Sequence, residues 1–239
     1  LKFKKENPRF LSITPLYRNN GQFIPTLCPL ILGGETFSIP PIQSLNNFFE
    51  IIEKNKINYT SAMATHINYS NHFQKKRKSR YLKFICVGGA KLEVKNHKFF
   101  EKKFKIRILC NYGLTETSSV ASSEGRSKNM TKVGSVGKPL FNKKILIKKK
   151  SGEKFGEIFI KGENIFKGYY NNKSETQKKI KKNYLHTGDL GYFDKNKFLH
   201  IVDRIDNMIN VSGENIYPSE IEKYTNNYKN ISLSVAIPI

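Results

Sequence analysis

A few short stretches of this 239-residue chain combine side chains that can do chemistry. Residues 111–117, Asn-Tyr-Gly-Leu-Thr-Glu-Thr, follow an apolar run and bring together an aromatic ring, a glycine turn, hydroxyls and a carboxylate. Backbone N–H groups and threonine hydroxyls at such a turn can hold a phosphate. Glu116 can give a hard oxygen ligand to magnesium, and Tyr112 offers a flat face to a nucleobase. Residues 186–192, His-Thr-Gly-Asp-Leu-Gly-Tyr, set Asp189 between two glycines. A carboxylate there can accept hydrogen bonds from both hydroxyls of a ribose. Residues 203–222 place Arg204, a fixed cation suited to phosphate or ribose oxygens, ahead of Ser212-Gly213. Bare backbone at that pair would let a narrow substituent such as a pantetheine arm pass close by. Taken singly, the first stretch is also a polar loop closing a strand, and the second is ordinary turn chemistry.

The surrounding pattern predicts the elements that position these groups. Leu45, Phe48, Phe49 and Ile52 recur at three- and four-residue steps, which predicts an amphipathic helix over Pro41–Lys56. Strands are expected at Ile57–Met63, at Leu82–Val87 ending on Gly88-Gly89, and at Ile106–Tyr112, with a helix at Val94–Phe104. This is the βαβ rhythm of an α/β fold with a parallel sheet. Ligands collect at the carboxyl ends of such strands, where both the Gly88-Gly89-Ala90 turn and the 113–117 turn fall. After Gly125 the texture changes: Lys144–Lys148 and Gly156–Lys161 alternate short apolar strands with charged turns, which predicts a small antiparallel β subdomain. Asn207–Val211, a helix at Pro218–Tyr228 and a final strand at Ser232–Ile237 read as the start of a small α+β domain, with a boundary near Arg204–Asp206.

Composition sets the frame. Hydrophobic residues at 38% and aromatics at 12% suit a folded chain. Cys28, Cys86 and Cys110 have no metal-like spacing and lie in apolar neighbourhoods, as reduced core cysteines of a cytoplasmic protein do. The five histidines, among them His66, His72, His186 and His200, form no metal set. No apolar run is long enough to span a bilayer, and the first residues lack the apolar core of a signal peptide. The net charge of +23 would favour nucleic acid or an anionic membrane. Yet lysines run from Lys2 to Lys229 without an arginine-rich segment, and the abundance of Lys, Asn and Ile matches an A/T-rich codon bias. No specific nucleic-acid partner is therefore expected; Lys75–Arg80 and Lys143–Lys150 remain candidate anion-facing patches.

Taken in order, these stretches resemble the adenylate-forming superfamily of acyl-CoA ligases, carrier-protein adenylation domains and luciferase-like enzymes. The resemblance runs from about Leu11 to Ile239, through SITPLYRNNGQ, VGGAKL, NYGLTET, VGSVGKPL, GEIFIKG, FKGYYNN, LHTGDLGYFD and VDRIDNMINVSGENIYPSEIE. It implies that Gly88, Gly89 and Ala90 line the adenine and acyl pocket, with Asn111, Tyr112 and Gly113 at the base. It implies Thr115 on the α-phosphate, Glu116 on magnesium, Asp189 on the ribose and Arg204 on ribose or phosphate, with Thr115, Glu116 and Arg204 as the catalytic set. Asp206 matches the family's hinge, and Ser212, Gly213 and Glu214 would border the coenzyme A tunnel. Residues 1–204 would then belong to the large AMP-binding domain (1–124 α/β, 125–204 β-rich), and 205–239 to the start of the small C-terminal domain.

The implied reaction is activation of a carboxylic acid, of fatty-acid or carnitine type, by ATP to an acyl adenylate, followed by transfer to coenzyme A. Loading of a carrier protein is the alternative within the same chemistry, and a basic nucleic-acid-binding module the alternative outside it. The family's glycine-rich phosphate loop is expected upstream of Leu1 and its catalytic lysine downstream of Ile239, so the 239-residue chain alone is expected to be inactive. Arg18, after Tyr17, stands where many members carry histidine beside the acyl pocket, and it can face a second carboxylate on the acid. Met63-Ala64-Thr65 replaces the usual Val-Pro-Thr.

Overall fold

The structure is a computed structural model that describes residues 7–125, 127–149, 151–211, 214–228, 230–231 and 234–237. The chain divides into two compact units, one of Leu1–Phe141 with Asn164–Phe166, the other of Asn142–Glu163 with Lys167–Ile239.

The first unit is built on strands β1 (Arg9–Ser12), β2 (Glu35–Ser38), β3 (Tyr59–Ala62), β4 (Phe84–Val87) and β5 (Arg107–Tyr112), which run parallel in the order β2-β1-β3-β4-β5. Short strands β6 (Ser122–Ser123) and β7 (Lys138–Pro139) extend the sheet antiparallel beyond β5. Helical turns α1 (Asn19–Gln22) and α2 (Cys28–Ile31), joined through π-helical Phe23–Leu27, link β1 to β2. Helices α3 (Pro41–Lys54), α4 (Ala64–Phe73) and α5 (Val94–Phe104) make the later crossovers.

The apolar spacing read in α3 does bury Phe48, Phe49 and Ile52, which join Ile67, Phe100, Phe104 and the strand residues Leu11, Ile85 and Ile108 in one core. Phe49 and Phe104 stack with centroids 4.6 Å apart. Phe10, Tyr59, Phe84 and Leu109 form a separate cluster, as expected when alternate strand residues point to opposite faces. The parallel-sheet expectation is met. Helix α3 ends at Lys54, before the expected Lys56, whose φ of 54° places it in left-handed backbone.

The second unit holds a five-stranded antiparallel sheet of β8 (Lys143–Lys148), β9 (Gly156–Gly162), β10 (Ile180–Lys181), β11 (Tyr184–Phe193) and β12 (Leu199–Arg204), with α6 (Lys173–Lys179) before β10. Buried Ile145, Ile158, Phe159, Ile160 and Leu185 carry its interior. Beyond β12, β13 (Ile209–Val211) pairs antiparallel with β14 (Glu214–Ile216), followed by α7 (Pro218–Thr225). The final strand expected at Ser232–Ile237 is corrected: Ser232 and Leu233 lie outside the described residues, and 234–237 pair with no strand. Their amides go to side chains of α7 and its end instead, Ser234 N to Asn226 Oδ1 at 2.7 Å and Ala236 N to Glu222 Oε1 at 3.1 Å.

Candidate nucleotide site

In the first unit, β4 and β5 end side by side, with Val87 opposite Cys110. The next residues are Gly88 and Asn111, and a side chain on Gly88 would have to displace the Asn111 amide. A Cβ at Gly88 would stand 2.1 Å from Asn111 Oδ1, so the Asn111 amide occupies the space a side chain would take. Gly89 follows with φ of +84°, a conformation that favours glycine. Tyr112 and Asn111 are half-buried.

The turn after β5 is a 3-10 segment, Thr115–Thr117, organised by a fully buried threonine. Thr117 Oγ1 accepts from Leu114 N at 2.9 Å and faces the carbonyls of Leu114 at 2.9 Å and Ser119 at 2.8 Å. Gly113 is closed in by the Ser119 carbonyl, 1.7 Å from where a Cβ would lie. Three further hydrogen bonds fix the turn: Asn19 Nδ2 to Thr115 O at 3.4 Å, Phe166 N to Glu116 O at 2.9 Å, and Asn164 Nδ2 to Thr117 O at 3.2 Å. With its backbone held, the turn leaves Thr115 exposed and Glu116 half-buried. That is the arrangement in which a hydroxyl and a carboxylate can meet a phosphate and a hard cation.

Beneath it lies a residue the motif reading passed over. Glu124 is buried, and its carboxylate accepts from Cys110 N at 2.8 Å and Lys132 N at 2.6 Å, tying β5 to the 125–132 loop. Burial raises its pKa, against the lowering effect of those two N–H donors. His97, also buried, contacts Cys110 Sγ at 3.8 Å and Glu101 at 3.3 Å. Burial acts to raise Glu101, but bonds from His97 and Ile108 N–H and the charges of His97 and Arg107 outweigh it, and its pKa is lowered. A lone acid in the small-residue run Ala121-Ser122-Ser123-Glu124 was the available signal.

In the second unit, Asp189 and Arg204 face each other across β11 and β12, with Nη1 and Oδ1 3.2 Å apart. Arg204 Nη2 also reaches Asp206 Oδ2 at 3.4 Å. Gly188, with φ of +74°, sits where the pairing of β11 with β9 shifts register. Thr187 Oγ1 braces that bend, donating to Ile158 O at 2.8 Å and accepting from Asp189 N at 3.0 Å. Asp189 is buried while the Arg204 head group is partly open, so the pair can present its outer edge to a polyhydroxyl ligand.

The adjacent Asp203 was not singled out by the motif reading. It accepts from Arg204 N at 2.7 Å, Asn207 Nδ2 at 2.9 Å and Ser219 N at 3.0 Å, clasping the start of α7. Burial acts to raise its pKa, but these bonds prevail and lower it.

The structure thus brings Gly88 to Asn111, and Asp189 to Arg204 and Asp206. Tyr17 and Arg18 stand exposed, the guanidinium 5.9 Å from the Tyr17 ring centre. Ser212 and Gly213 lie outside the described residues, as does the side chain of Glu214. Among the described residues no group of three or more His, Cys, Asp and Glu side chains could hold a metal. A single half-buried Glu116 fits magnesium, which binds through one or two carboxylates with phosphate oxygens and water completing its shell.

A parallel sheet with a braced, hydroxyl-bearing turn at its carboxyl end is the α/β architecture in which ligands gather at strand ends. The chain belongs to the AMP-binding enzyme family, whose family model matches residues 1–170. It is 32% identical over 223 residues to the 2-succinylbenzoate–CoA ligase of Bacillus subtilis (strain 168), a match covering 91% of this chain and 45% of that protein. It is 43% identical over 122 residues to the ligase of the same name from Bacillus cereus (strain Q1), covering 49% of this chain and 25% of that one. The chain therefore spans half or less of the length of these curated relatives.

The solved O-succinylbenzoate coenzyme A synthetase of Bacillus subtilis in complex with ATP and magnesium superposes with a TM-score of 0.84 at 28% identity, covering 99% of this chain and 50% of that one. ATP-bound MatB from Rhodopseudomonas palustris, 22% identical, shares the fold with a TM-score of 0.87, covering 97% of this chain and 47% of that one. A fatty-acid or carnitine-type acid is not what the succinylbenzoate relatives are named for, and that expectation is set aside.

Proposed function

We propose that this chain is part of an AMP-forming acid–CoA ligase that activates 2-succinylbenzoate, or a similar aromatic acid with a second carboxylate, and passes it to coenzyme A. The observation that carries this reading is the braced 111–117 turn against Gly88, in a chain related over 91% of its length to a 2-succinylbenzoate–CoA ligase. In this reading the large AMP-binding domain runs through Arg204, with the α/β part at 1–124 and the β-rich part at 125–204; the small C-terminal domain starts at 205. Gly88, Gly89 and Ala90 floor the pocket, Asn111 and Tyr112 hold the adenine, and Thr115 contacts the α-phosphate. Glu116 would hold magnesium, and Asp189 and Arg204 bind ribose and phosphate.

A carboxylate attacking the α-phosphate brings anion onto anion, so cationic and hydrogen-bonding groups must offset the charge as it develops. Magnesium supplies part of that neutralisation when bound. Asp206 serves as the hinge for thiol transfer, and Ser212, Gly213 and Glu214 border the coenzyme A path. Exposed Arg18 suits the second carboxylate of the acid.

Pyrophosphate release in the presence of ATP, magnesium and 2-succinylbenzoate tests the reading, using the chain and a version extended at both ends. The extended protein should turn over only with an acid of this class, while the 239-residue chain shows little activity. Turnover of medium or long fatty acids in preference would overturn the substrate. Formation of acyl-CoA on adding free coenzyme A separates the ligase from an enzyme that loads a carrier protein.

A further inference from the structure

The 74–81 loop and the outer faces of α4 and α5 carry a cluster that the nucleotide site does not use. On α5, Lys95, Lys98, Phe99 and Lys102 follow the i, i+3, i+4, i+7 spacing of one helix stripe, and all four are exposed. The last turn of α4 lies beside α5: Asn71 Nδ2 donates to Asn96 O at 2.9 Å, and Lys103 Nζ reaches Asn71 O at 2.7 Å. From that end of α4 project Phe73, 71% exposed, and then the exposed run Lys75–Lys78. Phe99 on the α5 stripe is 51% exposed, with the Lys103 ammonium 5.7 Å from its ring centre. Of the acids nearby, Glu53 pairs with Arg80 at 3.1 Å and Glu101 with His97 at 3.3 Å.

We infer that this face docks the protein on a bilayer surface rich in anionic phospholipid. Charge complementarity supplies the long-range attraction, since lysines near such a surface each add to binding. Exposed phenylalanines framed by lysines are the side chains that enter the boundary between headgroups and acyl chains, with the ammonium groups left at phosphate level. A nucleic acid fits less well. Arg80 pairs with Glu53 at 3.1 Å, and the Arg77 head group lies 5.9 Å from the Phe49 ring centre. The exposed lysines of the α5 stripe lack the planar fork that reads base edges, and the two exposed phenylalanines have no counterpart on a phosphate backbone. Among the described residues no helix is long and apolar enough to cross a membrane, so the contact proposed for this face is one with the bilayer surface.

The test is sedimentation of the 239-residue chain with phosphatidylcholine vesicles, with and without phosphatidylglycerol. Binding should require phosphatidylglycerol. Each lysine near the surface contributes about fivefold, so the triple variant Lys95→Gln/Lys98→Gln/Lys102→Gln should bind about 100-fold more weakly. Phe73→Ser/Phe99→Ser should weaken binding while keeping its salt dependence. A control variant in the other unit, Lys144→Gln/Lys173→Gln/Lys195→Gln, removes the same charge and should bind as the parent does. Equal losses in the two triple variants would show that the total charge of +23 acts without a specific face, and would overturn the inference. So would an absence of vesicle binding, or retention on duplex DNA that vesicles fail to compete.

Discussion

Replacing Glu124 by Gln changes one atom in the support beneath the nucleotide turn, and the structure sets the size of the effect. The carboxylate accepts two backbone N–H groups, Cys110 N on Oε2 and Lys132 N on Oε1. An amide keeps one acceptor oxygen and turns an NH2 toward the other donor. One N–H loses its acceptor, at a cost of about 1–3 kcal/mol where it is the buried Cys110 N–H and less where it is that of exposed Lys132. With a urea m-value of about 2–3 kcal/mol/M, the midpoint should fall by about 0.3–1.5 M with m unchanged.

Glu124→Leu, which leaves both donors unpaired, should cost more. The pH dependence gives an independent readout. Burial raises the folded-state pKa of Glu124, so its contribution is fully present below the unfolded carboxylate value and is lost as pH rises through the folded value. The Gln variant lacks that decline. Urea titrations of the three proteins from pH 4 to pH 8 test this directly. At pH 4, where that contribution is present, a Gln variant as stable as the parent, or a Leu variant more stable than the Gln variant, would refute the bracing role.

Further consequences follow from other residues. Gly88→Ala would place a Cβ 2.1 Å from Asn111 Oδ1, so it should lower both stability and AMP affinity, and Asn111→Ala in the same chain should recover part of the stability in a double-mutant cycle. Asp203→Asn weakens the clasp on Ser219 N, and hydrogen exchange should accelerate over Pro218–Thr225 while the core strands β3 to β5 are unaffected. Because the Asp203 pKa is lowered, the clasp is present above the unfolded aspartate value and is lost as pH falls through the folded one; α7 protection should drop on the acid side, and less so in the Asn variant.

The parallel sheet was legible because period and punctuation agreed: α5 begins and ends where Val94 and Phe104 mark it, and β4 and β5 stop at glycine turns. The candidate side chains on those turns were picked for the same reason, since a turn at a strand's carboxyl end is both a sequence signal and a place where ligands gather. What stayed hidden depended on partners distant in sequence. Glu124 matters through amides 14 and 8 residues away, and Asp203 through Ser219. Asp203 leaves no local pattern, and Glu124 leaves only that of a lone acid in a run of small residues. The terminal segment at 234–237 read as a strand from its apolar composition, but strand pairing is set by available edges, and here its amides find α7 side chains instead. The motifs report on nucleotide chemistry, which the family shares, and not on the acyl group, so the fatty-acid or carnitine-type expectation had no support in them once the succinylbenzoate relatives were found.

Calorimetric titration of AMP into the 239-residue chain, repeated with Asp189→Asn and Asn111→Ala, tests the central claim most directly. The account expects saturable one-site binding in the parent and about 10- to 100-fold weaker binding when Asp189, a charged acceptor, is neutralised. AMP binding that ignores both substitutions, in variants that remain folded, would contradict it.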